Sequence, residues 1–423
     1  MKIHIDIDCF FVSAARILDS SLEHKAVAIG GRSDTKIFEK DARNQTVDFK
    51  NSGNFVPIFY KAYEKKDDTL QNFRDEKGQL RGVITTSSYE ARAYGVKTAM
   101  SIQEALFLCP QLIVKSPNMS FYQELSHKLH LFLMKHIPLV EQASIDEFYG
   151  DVSGWVSDKE LPSFIDELRH NIKKELKLPV SIGAAETRYI AKMATNYAKP
   201  FGSKVIDTYN FDECINPLKV EKFTGIGKKM QKRLHAVQIT TLGELRKHKG
   251  MLYAMGPYAK EIYKRVNGES DTPINIHVRR KSIGISRTFT PLYQRNEVLR
   301  RIHILARHLS FAVSKLRVIP TSFQMHIGYE MQQKSHFSFS QAELFYEKKF
   351  HDICVEMFHK ADKYKRLHII RISIHCGHFT RDSKRELSLL NFNEDIKMLP
   401  LNQLSQQLRA KYGLDILKWG GEL

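Results

Sequence analysis

The alternation of apolar and polar positions is strictest at the start of the chain. Between residues 2 and 8, three isoleucines alternate with His4, Asp6 and Asp8. Successive side chains of a strand point to opposite faces, so this pattern predicts a half-buried strand with acids on its polar face. A helix is predicted to follow directly, over residues 9–18.

Further along, the spacing of apolar residues predicts a mixture of strands and helices. Within 122–137, for example, Leu125, Leu129 and Phe132 recur at helical spacing. Strands are predicted to begin at Val83, to form a pair over 140–152, and to cover 180–184. Helices are predicted at 101–108, 122–137 and 161–176, and a short helical turn at 87–92. Residues 32–80 lack periodicity and are interpreted as a loop-rich insertion with some helix.

Beyond Pro217 the pattern changes to short basic helices. Residues 223–229 form a predicted glycine hairpin between two of them, and Thr241 with Glu244 forms a predicted capping box. A linker is predicted at 271–276. From Lys281 to about residue 379 strands and helices alternate again, with a buried strand predicted at 367–374. A length of 423 residues suggests two to four domains.

The net charge of the chain is +18 at pH 7, and it is unevenly distributed. Residues 218–290 contain 16 Lys or Arg and 5 Asp or Glu, so this segment alone carries +11. A strongly basic segment is typical of proteins that bind a phosphate backbone. A generally basic proteome is the alternative explanation of the total charge.

Cysteine usage and hydropathy indicate the compartment. The chain has five cysteines without CxxC spacing, at Cys9, Cys109, Cys214, Cys354 and Cys376. They are expected to be reduced thiols, with no zinc site or disulfide framework. No basic-then-apolar leader opens the sequence and no apolar run approaches ~18 residues, so neither secretion nor membrane insertion is expected. We expect a cytoplasmic monomer.

Two acidic clusters lie 140 residues apart: Asp6 in the first strand, and the neighbours Asp146 and Glu147. Both have apolar, strand-like surroundings, where a buried carboxylate is costly unless a cation is near. Three converging carboxylates suit two divalent cations, which drive phosphoryl or nucleotidyl transfer in proteins. Adjacent residues of a strand point oppositely, so Asp146 and Glu147 both reach a metal only at a turn or strand end.

Simpler interpretations of these acids remain open at this point. Either cluster alone is compatible with surface acids on edge strands. Asp8 is interpreted as a cap for the helix that begins near Cys9, and not as a metal ligand.

Several residues are candidates for phosphate binding. Tyr89 and Arg92 are three positions apart, hence on one side of a helical turn, and Lys199 precedes a proline. The hairpin Gly225-Ile226-Gly227 exposes backbone N–H groups at a helix start, where phosphate binds readily, and Lys228 and Lys229 follow it. Ordinary surface residues are the alternative for each of these.

Taken in order, these motifs resemble those of the Y-family, or translesion, DNA polymerases of the bacterial DinB or UmuC type. The similarity extends through nearly the whole chain. Tyr89 and Asp146 are 57 residues apart, and Asp146 and Lys199 are 53 apart, as in that family. The motifs concerned are Ile-Asp-Ile-Asp-Cys-Phe-Phe at 5–11, Tyr-Glu-Ala-Arg at 89–92, Ser-Ile-Asp-Glu at 144–147, Ala-Lys-Pro at 198–200 and the hairpin at 223–229.

The resemblance implies a low-fidelity, template-directed polymerase without proofreading, which acts on primer-template DNA and deoxynucleotides. Asp6, Asp146, Glu147 and the backbone carbonyl of Ile7 would hold two Mg²⁺, with Mn²⁺ as a substitute. The implied nucleotide contacts are Phe10, Phe11, Tyr89, Arg92 and Lys199. Phe11 falls at the steric gate that excludes a ribose hydroxyl, with a core phenylalanine as the alternative.

The resemblance also implies an α/β (α+β) fold shaped like a right hand. The expected parts are a palm (1–10 and 118–206), fingers (11–117, with the insertion at about 32–80), a thumb (207–270), a linker (271–281), a little finger (282–385) and a tail (386–423). DNA contacts are expected at Gly225, Gly227, Lys228, Lys229, Arg279, Arg280 and Lys281. The interval from Asp6 to Tyr89 is 83 residues, roughly twice the family's, which identifies 32–80 as an insertion.

Glu-Leu-Ser-Leu-Leu at 386–390 resembles the sliding-clamp peptide of these polymerases, which usually begins with Gln and ends in an aromatic residue. Leu387, Leu389 and Leu390 would contact the clamp, and an ordinary amphipathic tail is the alternative. Two other functions compete with that of a polymerase. A catalytically inactive scaffold or clamp adaptor of the same family would not need the intact acids, and a palm-domain nucleotidyl cyclase would not need the basic hairpin.

Overall fold

The computed structural model describes residues 1–33, 35–39, 70–75, 78–276, 280–341, 343–381 and 392–422. These residues form two compact units. Unit 1 comprises 1–30, 70–75 and 78–276, and unit 2 comprises 31–33, 35–39 and the described residues from 280 onward. Both units combine helices and sheets, which confirms the predicted α/β (α+β) class.

Unit 1 contains two sheets and eleven α-helices among its described residues. Its strands are β1 (Lys2–Ile7), β2 (Val27–Gly31), β3 (Val83–Ser87), β4 (Ile113–Lys115), β5 (Leu139–Gln142), β6 (Glu147–Asp151), β7 (Val180–Ala185) and β8 (Ser203–Val205). Its helices are α1 (Phe10–Leu18), α2 (Tyr89–Ala93), α3 (Ile102–Leu108), α4 (Met119–His136), α5 (Leu161–Leu176), α6 (Arg188–Ala198), α7 (Phe211–Ile215), α8 (Lys228–His235), α9 (Leu242–Lys247), α10 (Lys249–Ala254) and α11 (Pro257–Val266).

The five-stranded sheet of unit 1, with the order β5-β6-β1-β7-β8, has the first predicted strand at its centre. Strand β1 pairs antiparallel with β6 and with β7. Ile3, Ile5 and Ile7 pack with α4 and α5 in the main core. The opposite face of β1 is covered by α6, so the strand is buried on both faces and the prediction of a half-buried strand was wrong.

Helix α6 approaches this sheet closely at Gly183 of β7. A Cβ atom added to Gly183 would stand 2.2 Å from the Thr195 backbone nitrogen and 2.3 Å from the Ala191 carbonyl oxygen. A side chain at this position would therefore collide with the backbone of α6. The Thr195 hydroxyl also donates to the His4 carbonyl oxygen (3.1 Å) and lies 2.8 Å from His4 Nδ1. These contacts fix α6 against β1 and β7.

The smaller sheet of unit 1, with the order β3-β2-β4, carries helices α2 and α3. Its core is formed by Ile84, Ala91 and Ile102 together with other buried side chains. Helix α2 begins after Ser88, whose hydroxyl accepts the Ala91 N–H at 3.2 Å. The helical turn predicted at 87–92 is confirmed.

Helices α7 to α11 form the basic part of unit 1 and share a core with α6. The capping box of Thr241 and Glu244 at the start of α9 is confirmed. The glycine hairpin is also present, with Gly225 at φ 103°. However, the element before the hairpin is a single 3-10 turn (Val220–Lys222) and not the predicted helix.

Unit 2 is a four-stranded antiparallel sheet with helices on one face. Its described elements are β9 (Ser282–Leu292), α12 (Arg295–Leu316), β10 (Val318–Tyr329), β11 (Lys334–Ser340), α13 (Glu347–Ala361), β12 (Ile369–Arg381) and α14 (Phe392–Tyr412), with the strand order β11-β10-β12-β9. The buried strand predicted at 367–374 is the first part of β12. Ile37 and Phe38, from the start of the predicted insertion, are buried in the same core as α12 and α13.

The C-terminal segment is held on unit 2 by buried ion pairs. Arg307 of α12 is 1% exposed, and its guanidinium donates to Glu422 and Asp415 at 2.9 Å each. At the start of α13, Glu347 accepts hydrogen bonds from Arg409 and Trp419. Burial would raise the pKa of Glu347, but His351, Arg409 and Trp419 outweigh it and lower the pKa to about 2.

Some predictions fall outside the described residues. The clamp-like peptide with Leu387, Leu389 and Leu390 lies there, as do Arg279 and most of the insertion at 32–80. The described parts of the insertion include two 3-10 turns, Lys36–Phe38 and Leu70–Phe73. Among the helices of the described residues, none is both long and apolar enough to cross a membrane.

The close approach of α6 to β7 can be tested with Gly183→Ala. The added methyl group must displace the backbone of α6, so we expect a loss of about 3 kcal/mol in the free energy of unfolding, measured by urea denaturation. Gly250→Ala is the matched control, because a Cβ at Gly250 meets no atom within 4 Å. Equal stabilities of the two variants would contradict the close packing.

The buried ion pair of unit 2 can be tested with Glu347→Gln. Loss of the carboxylate leaves Arg409 buried without its charge partner, and we expect a loss of about 3 kcal/mol at pH 7. The folded-state pKa of about 2 lies below the unfolded value of ~4.3, so the stabilisation is present above ~4.3 and is lost toward pH 2. Glu356→Gln, which breaks an exposed pair with Lys360 on the same helix, should change stability by less than ~1 kcal/mol. Similar losses in both variants, or a loss from Glu347→Gln that is unchanged at low pH, would contradict this account.

Candidate active site

The two acidic clusters meet at one end of the five-stranded sheet of unit 1, which is called the central sheet below. Asp6, near the end of β1, pairs across the ladder with Glu147, the first residue of β6. The Ile7 N–H donates to the Asp146 carbonyl oxygen at 3.0 Å, so the two clusters are joined through the backbone. Asp146 therefore lies in the turn before β6, which is the strand-end position expected for two adjacent ligands.

A short turn fixes the orientation of Asp146 and Glu147. The Ser144 hydroxyl oxygen accepts the backbone N–H groups of Asp146 (3.2 Å) and Glu147 (3.0 Å), and the Asp146 carboxylate accepts the Ser144 hydroxyl. These bonds hold the loop between β5 and β6. The backbone that carries the Asp146 and Glu147 carboxylates is therefore fixed by hydrogen bonds.

Two lysines of the α6 region contact the acids. Lys192, in the middle of α6, lies 2.6 Å and 2.5 Å from the two carboxylate oxygens of Glu147. Lys199, which directly follows α6, lies 2.5 Å from Asp6 Oδ1. Lys199, a predicted nucleotide contact, therefore forms an ion pair with Asp6, a predicted metal ligand.

Lys192 was not among the sequence-predicted site residues. A signal for it does exist, because Lys192 and Lys199 are seven positions apart and lie on one side of a helix. The helix itself was not predicted. Its buried residues Ile190, Ala191, Ala194 and Ala198 do recur at helical spacing, so the pattern that predicts a helix is present here as well.

Burial and neighbouring charges shift the pKa values of the three acids in opposite directions. Burial raises the pKa of Asp6 to about 6, although Lys199 opposes this, and burial also raises the pKa of Asp146. For Glu147, burial is outweighed by His4 and Lys192, which lower the pKa to about 2. The site therefore combines one carboxylate that is firmly ionised with two that gain from a nearby cation.

The donor set suits a hard divalent cation, since three carboxylates and a nearby backbone carbonyl are oxygen ligands. Within the described part of the chain, however, no three His, Cys, Asp or Glu side chains are grouped so that they could hold a metal ion. The ammonium groups of Lys192 and Lys199 take up oxygens of Glu147 and Asp6 instead. The chemistry of these oxygen ligands fits a hard divalent cation, and two of the three acids are paired with lysines in this structure.

Asp8 does not cap helix α1, so that prediction was wrong. The helix begins after Cys9 without a side-chain cap. The Asp8 carboxylate is buried and accepts the Phe201 N–H (2.7 Å) and the hydroxyls of Ser181 (2.9 Å) and Tyr89 (3.2 Å). Burial raises the pKa of Asp8 although these donors oppose it. Asp8 thus links α2 to the strand carrying Asp6.

Tyr89 and Arg92 lie on one side of α2, as the spacing predicts. The Arg92 guanidinium carbon stands 4.9 Å from the centroid of the Tyr89 ring. The Tyr89 hydroxyl donates to Asp8, which brings this pair beside the end of β1. Tyr89 thus contacts Asp8 at the end of β1, and Arg92 lies beside Tyr89.

Phe10 and Phe11 begin helix α1 and differ in exposure. Phe10 is 3% exposed and packs in the main core with Ile5 and Ile7. Phe11 is partly exposed, and its ring stacks on Tyr122 with centroids 4.3 Å apart and planes at 9°. Of the two, only Phe11 presents its ring at the surface.

The predicted DNA-contacting residues lie in both units. In unit 1, Gly227 precedes α8, and Lys228 and Lys229 at the start of that helix are exposed. The Tyr258 hydroxyl donates to the Gly225 carbonyl oxygen and closes the hairpin. In unit 2, Lys281 is exposed, and burial lowers the pKa of Arg280.

Comparison with known proteins identifies the family. The model of the impB/mucB/samB family matches residues 5–196, and that of its C-terminal domain matches residues 280–389. Together these matches cover more than half of the chain. The first contains all the predicted catalytic and nucleotide-binding residues except Lys199.

Curated relatives agree with the family match. DNA polymerase IV of Bacillus anthracis is 27% identical over 100% of this chain and 93% of its own length. DNA polymerase IV 1 of Bacillus subtilis (strain 168) is 28% identical over 99% and 92%. DNA polymerase IV of Pseudomonas paraeruginosa is 30% identical over 68% and 70%.

Solved structures agree on the fold. A Y-family DNA polymerase chimera of Dbh and Dpo4 has a TM-score of 0.70 at 21% identity, covering 90% of this chain and 99% of its own. An insertion ternary complex of Dbh DNA polymerase has a TM-score of 0.57 at 20% identity, with the same coverage. The chain belongs to the impB/mucB/samB family and is a DinB-like member of the Y-family DNA polymerases.

Proposed function

We propose that this DNA-directed DNA polymerase extends a primer opposite and past damaged template bases, with low fidelity and without proofreading. The observation that carries the proposal is the convergence of Asp6, Asp146 and Glu147 at one end of the central sheet. Relatives across nearly the whole chain are DNA polymerases, which supports the same reaction. Members of this family generally use divalent metal ions.

Asp6, Asp146 and Glu147, with the carbonyl of Ile7, are proposed to hold two Mg²⁺, for which Mn²⁺ could substitute. When bound, such ions activate the primer hydroxyl and neutralise the triphosphate and the leaving pyrophosphate. Two features of the backbone keep the carboxylates together: the turn held by Ser144 and the pairing of β1 with β6. Asp8 contributes by holding Tyr89, and not as a ligand.

The incoming deoxynucleotide is proposed to lie between α1, α2 and the end of α6. Arg92 and Lys199 carry positive charge suited to phosphate oxygens, and Tyr89 adds a hydroxyl donor. Lys199 would leave Asp6 as it takes up phosphate. The partly exposed ring of Phe11 would act as the steric gate against a ribose hydroxyl, whereas the buried Phe10 would support it from the core.

Duplex DNA is proposed to bind through phosphate contacts, which position the duplex without selecting its sequence. In unit 1 the candidates are the N–H groups around Gly225 and Gly227, with Lys228 and Lys229. In unit 2 they are Arg280 and Lys281, beside Arg279. The leucines at 387, 389 and 390 are proposed to reach a sliding clamp.

The right-hand division is likewise proposed with the boundaries given above, from the palm at 1–10 and 118–206 to the tail at 386–423. Unit 1 contains the described parts of the palm and thumb ranges, and unit 2 those of the little-finger range. We propose a monomer that acts in the cytoplasm.

The metal assignment is tested by primer extension on undamaged and abasic templates with Mg²⁺. Asp6→Ala and Asp146→Ala should each lower the rate roughly 100-fold or more, since metal charge stabilisation is worth several kcal/mol. Asp158→Ala, at an exposed acid of the same unit, should leave the rate unchanged. Incorporation that survives either substitution at the site would refute the assignment.

The steric gate is tested with Phe11→Ala. The ratio of kcat/KM for deoxynucleotides to that for ribonucleotides should fall roughly 10-fold or more, because the ring that excludes the hydroxyl is lost. Phe107→Ala is the control, since that ring is 84% exposed on α3. An unchanged ratio in a Phe11→Ala protein that still incorporates deoxynucleotides would remove Phe11 as the gate.

A further inference from the structure

Lys192 engages the whole carboxylate of Glu147. Its ammonium group lies 2.6 Å and 2.5 Å from the two oxygens, within the range of strong charge-assisted hydrogen bonds. The two side chains are 22% and 26% exposed, so solvent screens the pair only in part. A ligand that must give its oxygens to a metal is therefore already paired with a cation.

The second contact of Glu147 comes from His4. His4 Nε2 lies 3.8 Å from Glu147 Oε2, and the ring is held through Nδ1 by the Thr195 hydroxyl at 2.8 Å. Thr195 is three positions beyond Lys192 on α6, hence on the same side of the helix. One helix thus sets both neighbours of Glu147.

The charges at the end of the sheet explain why a cation is needed there. Asp6 faces Glu147 across the ladder and Asp146 directly precedes Glu147, so ionised carboxylates at this position repel one another. Lys199 partly compensates Asp6, and Lys192 compensates Glu147. Without these ammonium groups three carboxylates would share a partly buried site with no counter-charge.

We propose that Lys192 is the resident counter-ion of Glu147: it keeps the acidic site assembled before a divalent cation arrives, and it competes with that cation for the same two oxygens. The inference rests on the proposed metal site. Metal binding then becomes an exchange in which Lys192 releases Glu147. Competition from Lys192 would therefore weaken metal binding by the protein alone.

The experiment is a Mn²⁺ titration followed by electron paramagnetic resonance, on full-length protein without DNA or nucleotide. Lys192→Met removes the competing charge and should tighten Mn²⁺ binding roughly 10-fold. Lys192→Arg retains the charge and should bind Mn²⁺ as the wild type does. Lys174→Met, on the exposed face of α5, makes the same charge change away from the site and should also have no effect.

Thermal unfolding provides a second readout that does not depend on activity. Lys192→Met should melt at a lower temperature than the wild type without metal, because Glu147 loses its partner. Mn²⁺ should then raise its melting temperature by more than that of the wild type, since binding to the folded state stabilises it by mass action. If Lys192→Met does not fold, Lys192→Gln must show the same two effects.

Two contrary results have different meanings. Mn²⁺ binding that is lost in Glu147→Gln but unchanged or weakened by the neutral substitutions at Lys192 would overturn the counter-ion alone. Mn²⁺ binding that Glu147→Gln leaves unchanged would overturn both the proposed metal site and the counter-ion.

Discussion

The close approach of helix α6 to the central sheet is the constraint on which the candidate site depends. At Gly183 the backbones of β7 and α6 are so close that a Cβ atom would collide with the Thr195 backbone nitrogen. At that distance Thr195 reaches His4, and Lys192 reaches Glu147 across the face of β1. A helix displaced outward by one methyl group would carry both contacts away from the acids.

The same packing brings lysines to the partly buried acids and so compensates part of their charge. The end of β1 and the start of β6 bring together carboxylates that burial alone would drive toward the neutral form. Lys192 and Lys199 oppose this effect, since each places an ammonium group on one of these carboxylates. Such local conflicts between burial and charge are typical of functional sites, where the fold tolerates them for chemistry.

The sequence predicted the elements whose signals are local. The bounds of α5 follow from helical periodicity, and the turn position of Asp146 follows from the adjacency of two acids. It failed where partners are distant along the chain. Asp8 was interpreted as a helix cap, whereas its donors Ser181 and Phe201 lie more than 170 residues away. The burial of both faces of β1 and the contact of Lys192 with Glu147 depend on α6, a helix that was not predicted although its buried residues recur at helical spacing.

The central claim is that the three acids and the lysines of the α6 region form one cation-exchanging polymerase site. The most direct measurement is anomalous diffraction from crystals of the protein with primer-template DNA, a non-hydrolysable deoxynucleotide and Mn²⁺. The account predicts anomalous peaks bound by Asp6, Asp146 and Glu147, with the Lys192 ammonium displaced from the Glu147 oxygens. Peaks bound elsewhere, or Mn²⁺ at the acids with Lys192 still on both oxygens of Glu147, would contradict it.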